Sequence, residues 1–452
     1  MSQVVVQEPF IEQANGRTIV RVDVTVSGGR PHPVEFVLPP VAVHRQQVID
    51  AMFVCGRLIA MKGGWQLVLP GPVSGRLLDR AEILQDVLQE WFGKQVKPMP
   101  LDFEVAEPLE MSADRGVLST FSGGVDSYYT VLENLDQLSG VLFIHGLDIG
   151  LGHTEFRTRV SEQLRKSSAD LGVPLWEVET DIRSLTNQYA AWGKKAHGAI
   201  LASVAILLAQ EVDTFLIPGT LTRAASKGEP WGSHVLIDRL HSTDYLSVVH
   251  HGADTTRPEK TARIAQSESA LRNLRVCYSS RTDYNCGSCS KCRRTQVDLE
   301  LAGVSDADWI FAQLVPLETA LAQYRVDAPI PRAFAEATIT QARSLNRTDV
   351  TVPLRRATRR YDAQLVKRRA MKLRRYLRKD PEFRTAFVPK QNRRQPPPLS
   401  SPPTMRAVLA HRLPDPVMRR LRWWSAAKRP TEPHLVFRPQ TRDRAGQHPA
   451  PA

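Results

Sequence analysis

A strand, a glycine-rich turn and a helix follow one another near residue 120. Gly116 to Phe121 is an apolar run typical of a buried strand, and Ser122-Gly-Gly-Val-Asp-Ser127 comes directly after it. This order presents free backbone N–H groups and a helix N-terminus to an anion, and it predicts a phosphate-binding loop. Apolar side chains then recur at helical spacing, at Tyr128, Val131, Leu132 and Leu135.

The side chains of this loop indicate a metal-bound polyphosphate. Its glycines let the backbone approach phosphates closely, and Ser122 and Ser127 add hydroxyl donors. Asp126 would repel a bare phosphate, so we expect a bridging Mg²⁺. The alternative is an ordinary Gly-Gly turn with a capping Asp or Ser.

The hexad resembles the SGGxDS pyrophosphate loop of the N-type ATP pyrophosphatases, enzymes of the adenine nucleotide α-hydrolase-like group. It is not a Walker A loop, because no Gly-Lys-Ser/Thr follows. The resemblance implies ATP and Mg²⁺ as cofactors, cleavage of ATP to AMP and pyrophosphate, and catalytic roles for Asp126 and Ser127. It places ATP on Ser122, Gly123, Gly124, Val125, Asp126 and Ser127.

Residues 111–305 alternate short apolar runs with helical patterns. This predicts an α/β fold with a doubly wound parallel sheet, of the kind called Rossmann-like or HUP. Ligands of such sheets lie beyond the carboxyl ends of the strands, which directs attention to the hexad, to 145–153 and to Pro218-Gly-Thr220. The predicted strands are 116–121, 140–145, 174–179 and 213–218, and the predicted helices 126–137, 155–171 and 197–210. One or two of four polar residues are expected to contact the adenylate or the substrate: His145, Asp148, His153 and Arg157.

Residues 1–110 are predicted to form a separate α+β module. Val20 to Val26 alternates as a half-buried strand does, Gly28 and Gly29 make a turn, and Val34 to Leu38 is the hairpin partner. Cys55 stands among apolar residues and is predicted to be a buried small hydrophobe rather than a nucleophile. Helices are predicted over 43–61 and 77–92, and a further strand over 65–69.

Four cysteines form a second motif, with the spacing C-x8-C-x2-C-x2-C. Four thiolates on tight turns can close a tetrahedral Zn²⁺ site, which Gly287 would permit by its turn. With no open coordination position, such a metal would be structural. An iron–sulfur cluster uses the same ligands and is the main alternative, and free structural cysteines are the other. Nearby Lys291, Arg293 and Arg294 would favour the thiolates. The predicted ligands are Cys277, Cys286, Cys289 and Cys292.

The loop and the cysteines together resemble 7-cyano-7-deazaguanine synthase and its relatives, over about residues 113–300. That family holds zinc on its four cysteines, adenylates a 7-deazaguanine carboxylate, and lets ammonia attack. This chain has Pro218-Gly-Thr-Leu221 where the family typically has Pro-Gly-Arg-Asn, and Trp231 to Asp238 where it has Tyr-Pro-Asp-Cys-Arg. We therefore expect a synthase-like enzyme with a different acyl substrate.

Other polar residues are candidates for the same site. Ser233, His234 and Asp238 are predicted to bind substrate, with a capping or surface role as the alternative. The family resemblance implies that Lys260 lies near the phosphates and neutralises the departing pyrophosphate. A solvated charge at a helix start is the alternative for Lys260. His197 and Gly198 begin an otherwise apolar helix and are candidates to face the nucleotide.

The positive charge is concentrated in the C-terminal quarter. Residues 331–452 carry a formal charge of +21, and the remainder carries −8. A helical basic extension is predicted over 306–394 and a Pro-rich, basic, partly disordered tail over 395–452, in which Asp415 to Trp424 forms a second amphipathic helix. Residues 355–424 suit an anionic membrane surface, RNA or an acidic protein, or else form a solvated tail.

No apolar run approaches 18 residues and the N-terminus does not resemble a signal peptide, so a cytoplasmic protein is expected, with the tail offering peripheral membrane contact. The leading hypothesis is an ATP-dependent ligase that adenylates a carboxylate and passes it to a nitrogen nucleophile. The alternatives are a tRNA-modifying enzyme of the same fold and a non-catalytic ATP-sensing module.

Overall fold

The structure is a computed structural model that describes residues 2–278, 284–304 and 306–377. Ten strands within these ranges join in one sheet, in the order β10-β9-β6-β7-β8-β4-β3-β1-β5, with β2 paired to β3. The strands are β1 Gln3–Val6, β2 Phe10–Ala14, β3 Arg17–Val26, β4 His32–Leu38, β5 Gln66–Val68, β6 Gly116–Thr120, β7 Leu138–His145, β8 Leu175–Thr180, β9 Val212–Pro218 and β10 Ser247–His251.

Helices cover the sheet and continue beyond its last strand. None of the helices in the described ranges is long and apolar enough to cross a membrane. The helices are α1 Arg45–Ala60, α2 Gly75–Asp79, α3 Ala81–Phe92, α4 Val125–Glu133, α5 Thr154–Leu171, α6 Ile182–Tyr189, α7 His197–Leu207, α8 Arg223–Ser226, α9 Arg257–Ala265, α10 Glu268–Arg272, α11 Ser290–Leu301, α12 Leu317–Ala322, α13 Pro329–Ser344 and α14 Thr348–Leu377.

The five strands β10, β9, β6, β7 and β8 are parallel, and their two faces are buried against different helices. Val141 and Phe143 of β7 point into a core shared with α4 and α5. Leu142 and Ile144, which alternate with them, point into a core shared with α1 and α7. This confirms an α/β protein with a parallel sheet flanked by helices, as expected when both faces of the strands are apolar.

The chain adds strands first on one side of β6 and then on its other side. From β6 it moves outward through β7 and β8, and then returns to the other side of β6 for β9 and β10. At such a switch point the loops after the two central strands separate and leave a crevice at the carboxyl edge. The Ser122–Ser127 loop follows β6 and Gly219 follows β9, so both border this crevice.

The N-terminal strands continue the same sheet. Strand β4 runs antiparallel to β8, with Phe36 opposite Thr180, and β3 pairs with β4 as the predicted hairpin. Side chains of residues 1–110 and of the parallel strands share one hydrophobic core, and Met1–Leu373 forms one compact unit. The four sequence segments with limits at 110, 305 and 394 stay a prediction of domain organisation.

The helices after residue 306 form a third core with the end of α11. Ala335 and Ile339 of α13 and Leu354 of α14 pack there against Val297. The first half of α14 is amphipathic, since its polar face exposes Arg355, Arg356, Arg359 and Arg360. The predicted Pro-rich tail, the second amphipathic helix at 415–424 and residues 378–394 of the predicted basic extension lie outside the described residues.

Candidate functional site

The glycine-rich loop joins β6 to α4 as predicted and is held closed by its own hydroxyl groups. The Ser122 N–H donates to Ser127 Oγ at 3.3 Å, and that hydroxyl donates to the Gly124 carbonyl at 3.0 Å. Gly124 is the N-cap of α4, and no side chain of the described residues caps this helix. The N-terminus of α4 is therefore left for a ligand, with its partial positive charge.

Gly123 allows the loop to turn against the segment that leads to the cysteines. Its φ is +72°, and a Cβ there would stand 3.2 Å from the Leu164 side chain and 3.3 Å from Cβ of Arg275. The Gly123 carbonyl accepts the Arg275 N–H at 2.7 Å, and Nη1 of Arg275 donates to the Ser122 carbonyl at 3.3 Å. A side chain at 123 would thus be strained and crowded.

Asp126 lies in the first turn of α4 between two cations. Its Oδ2 accepts from Nη1 of Arg257 at 2.8 Å, and its Oδ1 is 3.9 Å from Nζ of Lys260. Within the described residues, that buried Oδ1 has no hydrogen-bond partner. Buried carboxylate oxygens normally have partners, so Oδ1 has capacity for a further ligand.

Arg257 and Lys260 lie in the first turn of α9. Thr256 and Glu259 form a capping box there, with Pro258 in the first turn, and residues three apart face the same side. Nζ of Lys260 donates to the Gly219 carbonyl at 2.5 Å, so this side chain connects the loops after β6 and β9. Burial lowers the pKa of Lys260, and the Asp126 carboxylate opposes that effect.

Two further arginines are buried, Arg275 against the loop and Arg294 close enough to Arg257 and Asp126 to interact with their charges. Arg275 touches Ser122 as described, and Arg294 of α11 lies over the ring of Phe334, with 4.1 Å from its Cζ to the ring centroid. Burial, and then the like charge of Arg257, lower the pKa of Arg294. Among the residues the structure describes, Nε of Arg257, of Arg275 and of Arg294 is buried without a hydrogen-bond partner.

The four predicted cysteines come together at the start of α11. Their sulfur atoms all lie within 4.8 Å of one another, and the group can hold a metal ion such as zinc. The sulfurs of Cys277 and Cys286 are 3.5 Å apart, and those of Cys286 and Cys292 are 3.9 Å apart. Cys289 is the N-cap of α11, and its sulfur accepts the Cys292 N–H at 3.5 Å.

Gly287 and Asn285 shape the chain around these sulfurs. Gly287 has φ +73°, and a Cβ on it would meet the Gln313 carbonyl oxygen at 2.1 Å. The Asn285 Oδ1 accepts the N–H groups of Val276 and Cys277 at 2.8 and 3.2 Å. The predicted glycine turn is present, whereas the sequence pattern did not mark Asn285 as the residue that joins the two halves of the cluster.

Helix α11 carries both Cys289, its N-cap, and Arg294. Residues 291 and 294 follow the N-cap Cys289 within the first turns of that helix. Arg294 reaches the Phe334 ring, which also lies 6.0 Å from Cζ of Arg257. A metal bound by the cysteines would therefore fix the start of α11, and with it the position of Arg294. Arg293 points elsewhere, because it donates to Gln323 and Gln296.

The predicted substrate residues form a closed hydrogen-bonded group beside β10. Asp238 is fully buried and accepts from Oγ of Ser233 at 2.8 Å, from the His234 N–H at 3.1 Å and from Nδ1 of His250 at 2.7 Å. Both ring nitrogens of His234 are engaged, since Nε2 donates to the Ser226 carbonyl and Nδ1 accepts the Leu236 N–H. Their role in substrate binding stays a prediction.

Gly198 and His197 lie against this group. A Cβ on Gly198 would stand 2.2 Å from Oδ1 of Asp238, so the absence of a side chain lets the carboxylate pack on α7. The His197 ring lies 4.6 Å from Trp192, and burial lowers its pKa while Asp148 and Asp238 oppose the shift. The structure thus places both residues beside Asp238. That they face a nucleotide stays a prediction.

The four candidates after β7 divide into two sets. His145 and Arg157 are tied into β8, through Glu177 at 3.3 Å and Glu179 at 2.6 Å. Burial raises the pKa of Glu177, but hydrogen bonds from His145, Ser161 and Arg165 outweigh it and lower the pKa to about 2. Asp148 and His153 instead line an open cavity of about 620 Å³ beyond β7 and β8.

The comparisons with known proteins add no relative. No family model matches the chain, and the comparisons with curated proteins and with solved structures find no match. The function must therefore be argued from the geometry of this chain.

Proposed function

We propose that this protein is an ATP-dependent ligase of the ATP pyrophosphatase type, with the fold of the adenine nucleotide α-hydrolase-like group. It would adenylate a carboxylate, release pyrophosphate, and pass the acyl group to a nitrogen nucleophile. The observation that carries the proposal is the loop Ser122–Ser127 at the β6–β9 switch point, surrounded by buried cations. A glycine turn that served only as a connection would not need them.

The donors around the loop suit a polyphosphate. The helix α4 offers an N-terminus without a side-chain cap in the described chain, and three guanidinium Nε groups there are buried and unpaired. Arg257 and Lys260 both lie near the Asp126 carboxylate. Its single negative charge offsets only part of their combined positive charge. Buried cations of this kind are favourable when an anion completes the site.

Mg²⁺ fits the site through Asp126. Oδ2 is taken by Arg257, but Oδ1 is the unpartnered atom that a hard cation can accept as a ligand. When bound, the ion would neutralise phosphate charge. Lys260 and Arg257 would then hold the leaving pyrophosphate, and the α4 N-terminus would orient the phosphates.

The proposed reaction has two displacements. A carboxylate oxygen of the substrate attacks the α-phosphorus of ATP, and the bond from that phosphorus to the bridging oxygen of pyrophosphate breaks. The nitrogen nucleophile then attacks the acyl carbon, the bond to AMP breaks with the electron pair leaving on AMP, and the nitrogen loses a proton to solvent. The protein contributes position and positive charge, without a covalent enzyme intermediate.

Zinc is the proposed ion of the cysteine cluster. With Zn–S bonds of about 2.3 Å, tetrahedral sulfurs stand about 3.8 Å apart. The separations of 3.5, 3.9 and 4.0 Å are close to that value. A cluster of several irons would spread the four sulfurs further, so a single ion fits better. Four sulfur ligands leave no open position, so its role would be structural.

The proposal is tested by the fate of α-labelled ATP. Wild type is incubated with Mg²⁺, ammonium and a small-molecule cell extract, beside Asp126→Ala. We expect labelled AMP from wild type and at least a 100-fold lower rate from the variant, because the site loses both its ion ligand and the partner of Arg257.

Asp254→Ala is the matched control, since this carboxylate pairs with Arg223 at the surface. It should leave AMP formation unchanged. A circular dichroism melt confirms that Asp126→Ala is folded. Equal AMP formation by Asp126→Ala and wild type would contradict the mechanism, and ADP as the product would place the enzyme in another class. ATP binding without any turnover would favour the sensing module or a macromolecular substrate such as tRNA.

A further inference from the structure

We propose that Phe334 of α13 is a positioning residue that holds Arg257 and Arg294 toward the departing pyrophosphate. The inference rests on the proposed function and extends it to a helix outside residues 113–300, the part of the chain that carries the family resemblance. It makes the helical extension a part of the nucleotide site rather than an appendage.

The ring of Phe334 is the surface that the two arginines share. It is 5% exposed, with Cζ of Arg294 at 4.1 Å and Cζ of Arg257 at 6.0 Å from its centroid. Arg257 also donates to Asp126 in the phosphate loop at 2.8 Å. A chain of contacts therefore runs from α13 through one guanidinium to the loop.

Other contacts fix the helix that carries the ring. One turn after Phe334, Oγ1 of Thr338 donates to Asp298 of α11 at 2.9 Å. Before it, Arg332 pairs with Asp362 of α14 at 2.7 Å. Contacts before and after Phe334 thus fix the part of α13 that carries the ring. A residue that orients other side chains needs such support.

The electrostatics of the pair require such a support. Arg257 and Arg294 repel each other, and this repulsion contributes to the lowered pKa of Arg294. Their Nε groups are unpaired within the described part of the chain, although both side chains are buried. An aromatic face attracts a guanidinium and leaves its N–H edge free. The ring can hold both charges in place without consuming the donors that an anion needs.

The test measures binding of inorganic pyrophosphate, with Mg²⁺, to the full chain by isothermal titration calorimetry. Phe334→Leu should weaken binding roughly 5- to 30-fold, the loss expected from one to two guanidinium–ring contacts. Phe334→Tyr keeps the ring and should restore most of the affinity. In turnover, Phe334→Leu should lower kcat more than it raises the KM for ATP, because the contact serves the leaving group.

A double-mutant cycle with Arg294→Lys separates positioning from simple packing. Lysine keeps the charge but loses the planar stack, so the two substitutions should be non-additive if Phe334 acts through Arg294. Ile339→Val is the control on the same helix, because Ile339 is buried in the core with Val297 of α11, more than one turn along the helix from Phe334. It should leave pyrophosphate affinity unchanged.

The outcomes distinguish this inference from the proposed function. Unchanged pyrophosphate affinity in Phe334→Leu, additive effects in the cycle, or no pyrophosphate binding by wild type would each overturn it. Weaker binding in Phe334→Leu with a non-additive cycle would support it even if wild type never formed AMP. If Phe334→Leu does not fold, Phe334→Met takes its place in the titration and in the cycle, because it also removes the aromatic face.

Discussion

Asp298 is a fully buried carboxylate of α11 near Arg257, Arg294 and Tyr324. Burial raises its pKa to about 6, although Arg257 and the hydrogen bond from Thr338 oppose this. The folded protein therefore binds this proton more tightly than the unfolded chain, whose carboxyl titrates near 4. Its contribution to the free energy of unfolding is fully present below about pH 4 and is lost as the pH rises through about 6.

Asp298→Asn should remove this pH dependence. We expect the stability of the variant to gain on wild type between pH 4 and 7, by at most about 3 kcal/mol, the equivalent of two pKa units. Urea unfolding at four pH values measures it. Asp254→Asn, at an exposed position, should follow wild type throughout. A constant difference between Asp298→Asn and wild type across this range would show that the carboxyl is not perturbed.

The sequence marked the candidate residues that belong to local motifs and did not mark those whose contacts are with distant partners. The loop Ser122–Ser127 and the cysteines are short motifs with fixed spacing, and the family resemblance marked Lys260. Arg257 and Phe334 were not marked, because their importance comes from contacts across 131 residues to Asp126 and across the helical extension. One signal was available for Arg257: it lies three residues before Lys260 on the same helix face.

The turn before α11 is the element on which the cysteine cluster depends. The sulfurs converge because Cys289 caps the helix and Gly287 turns where no side chain fits. If a structural ion is held there, its binding free energy is also folding free energy for this part of the chain.

Cys289→Ser should lose the ion and loosen α11. We expect one zinc per chain in wild type by elemental analysis, much less in the variant, and a loss of unfolding free energy of roughly 4 kcal/mol. Amides of α11 should exchange faster with deuterium. Cys55→Ala is the matched control, because Cys55 is buried in another core and burial raises its pKa to about 11. Iron in place of zinc, or an intact metal content in Cys289→Ser, would contradict the assignment.

Most elements were predictable from periodicity, and the differences have local causes. The four parallel strands predicted from 116 to 218 are present, with shifts of at most two residues at their ends, as are α4, α5 and α7. The helix predicted over 77–92 is two helices that meet at Arg80. Strand β10 was not predicted, because Ser247-Val-Val-His-His251 is short and ends in two polar residues. The pairing of β4 with β8 joins segments over 140 residues apart, and no local pattern specifies it.

Residues 1–110 and the parallel strands share one ten-stranded sheet and one core, so we expect them to unfold together. Phe36 of β4 is fully buried opposite Thr180 of β8. Phe36→Ala should cost about 3 to 5 kcal/mol and lower a single unfolding transition instead of splitting it. Differential scanning calorimetry measures this, and Phe10→Ala, at a residue 55% exposed on β2, should have little effect. Two separate transitions would restore the picture of an independent N-terminal module.

The position of Phe334 in the chain has a consequence for synthesis. The loop that ends at Ser127 leaves the ribosome about 200 residues before α13, which at 5–20 residues per second is roughly 10 to 40 seconds. During that interval the nascent protein first lacks Arg257 and Arg294, which follow Ser127 by 130 and 167 residues, and then carries them without the ring of Phe334. On the proposed role of Phe334, the nucleotide site would be complete only after α13 has been synthesised and has packed on α11.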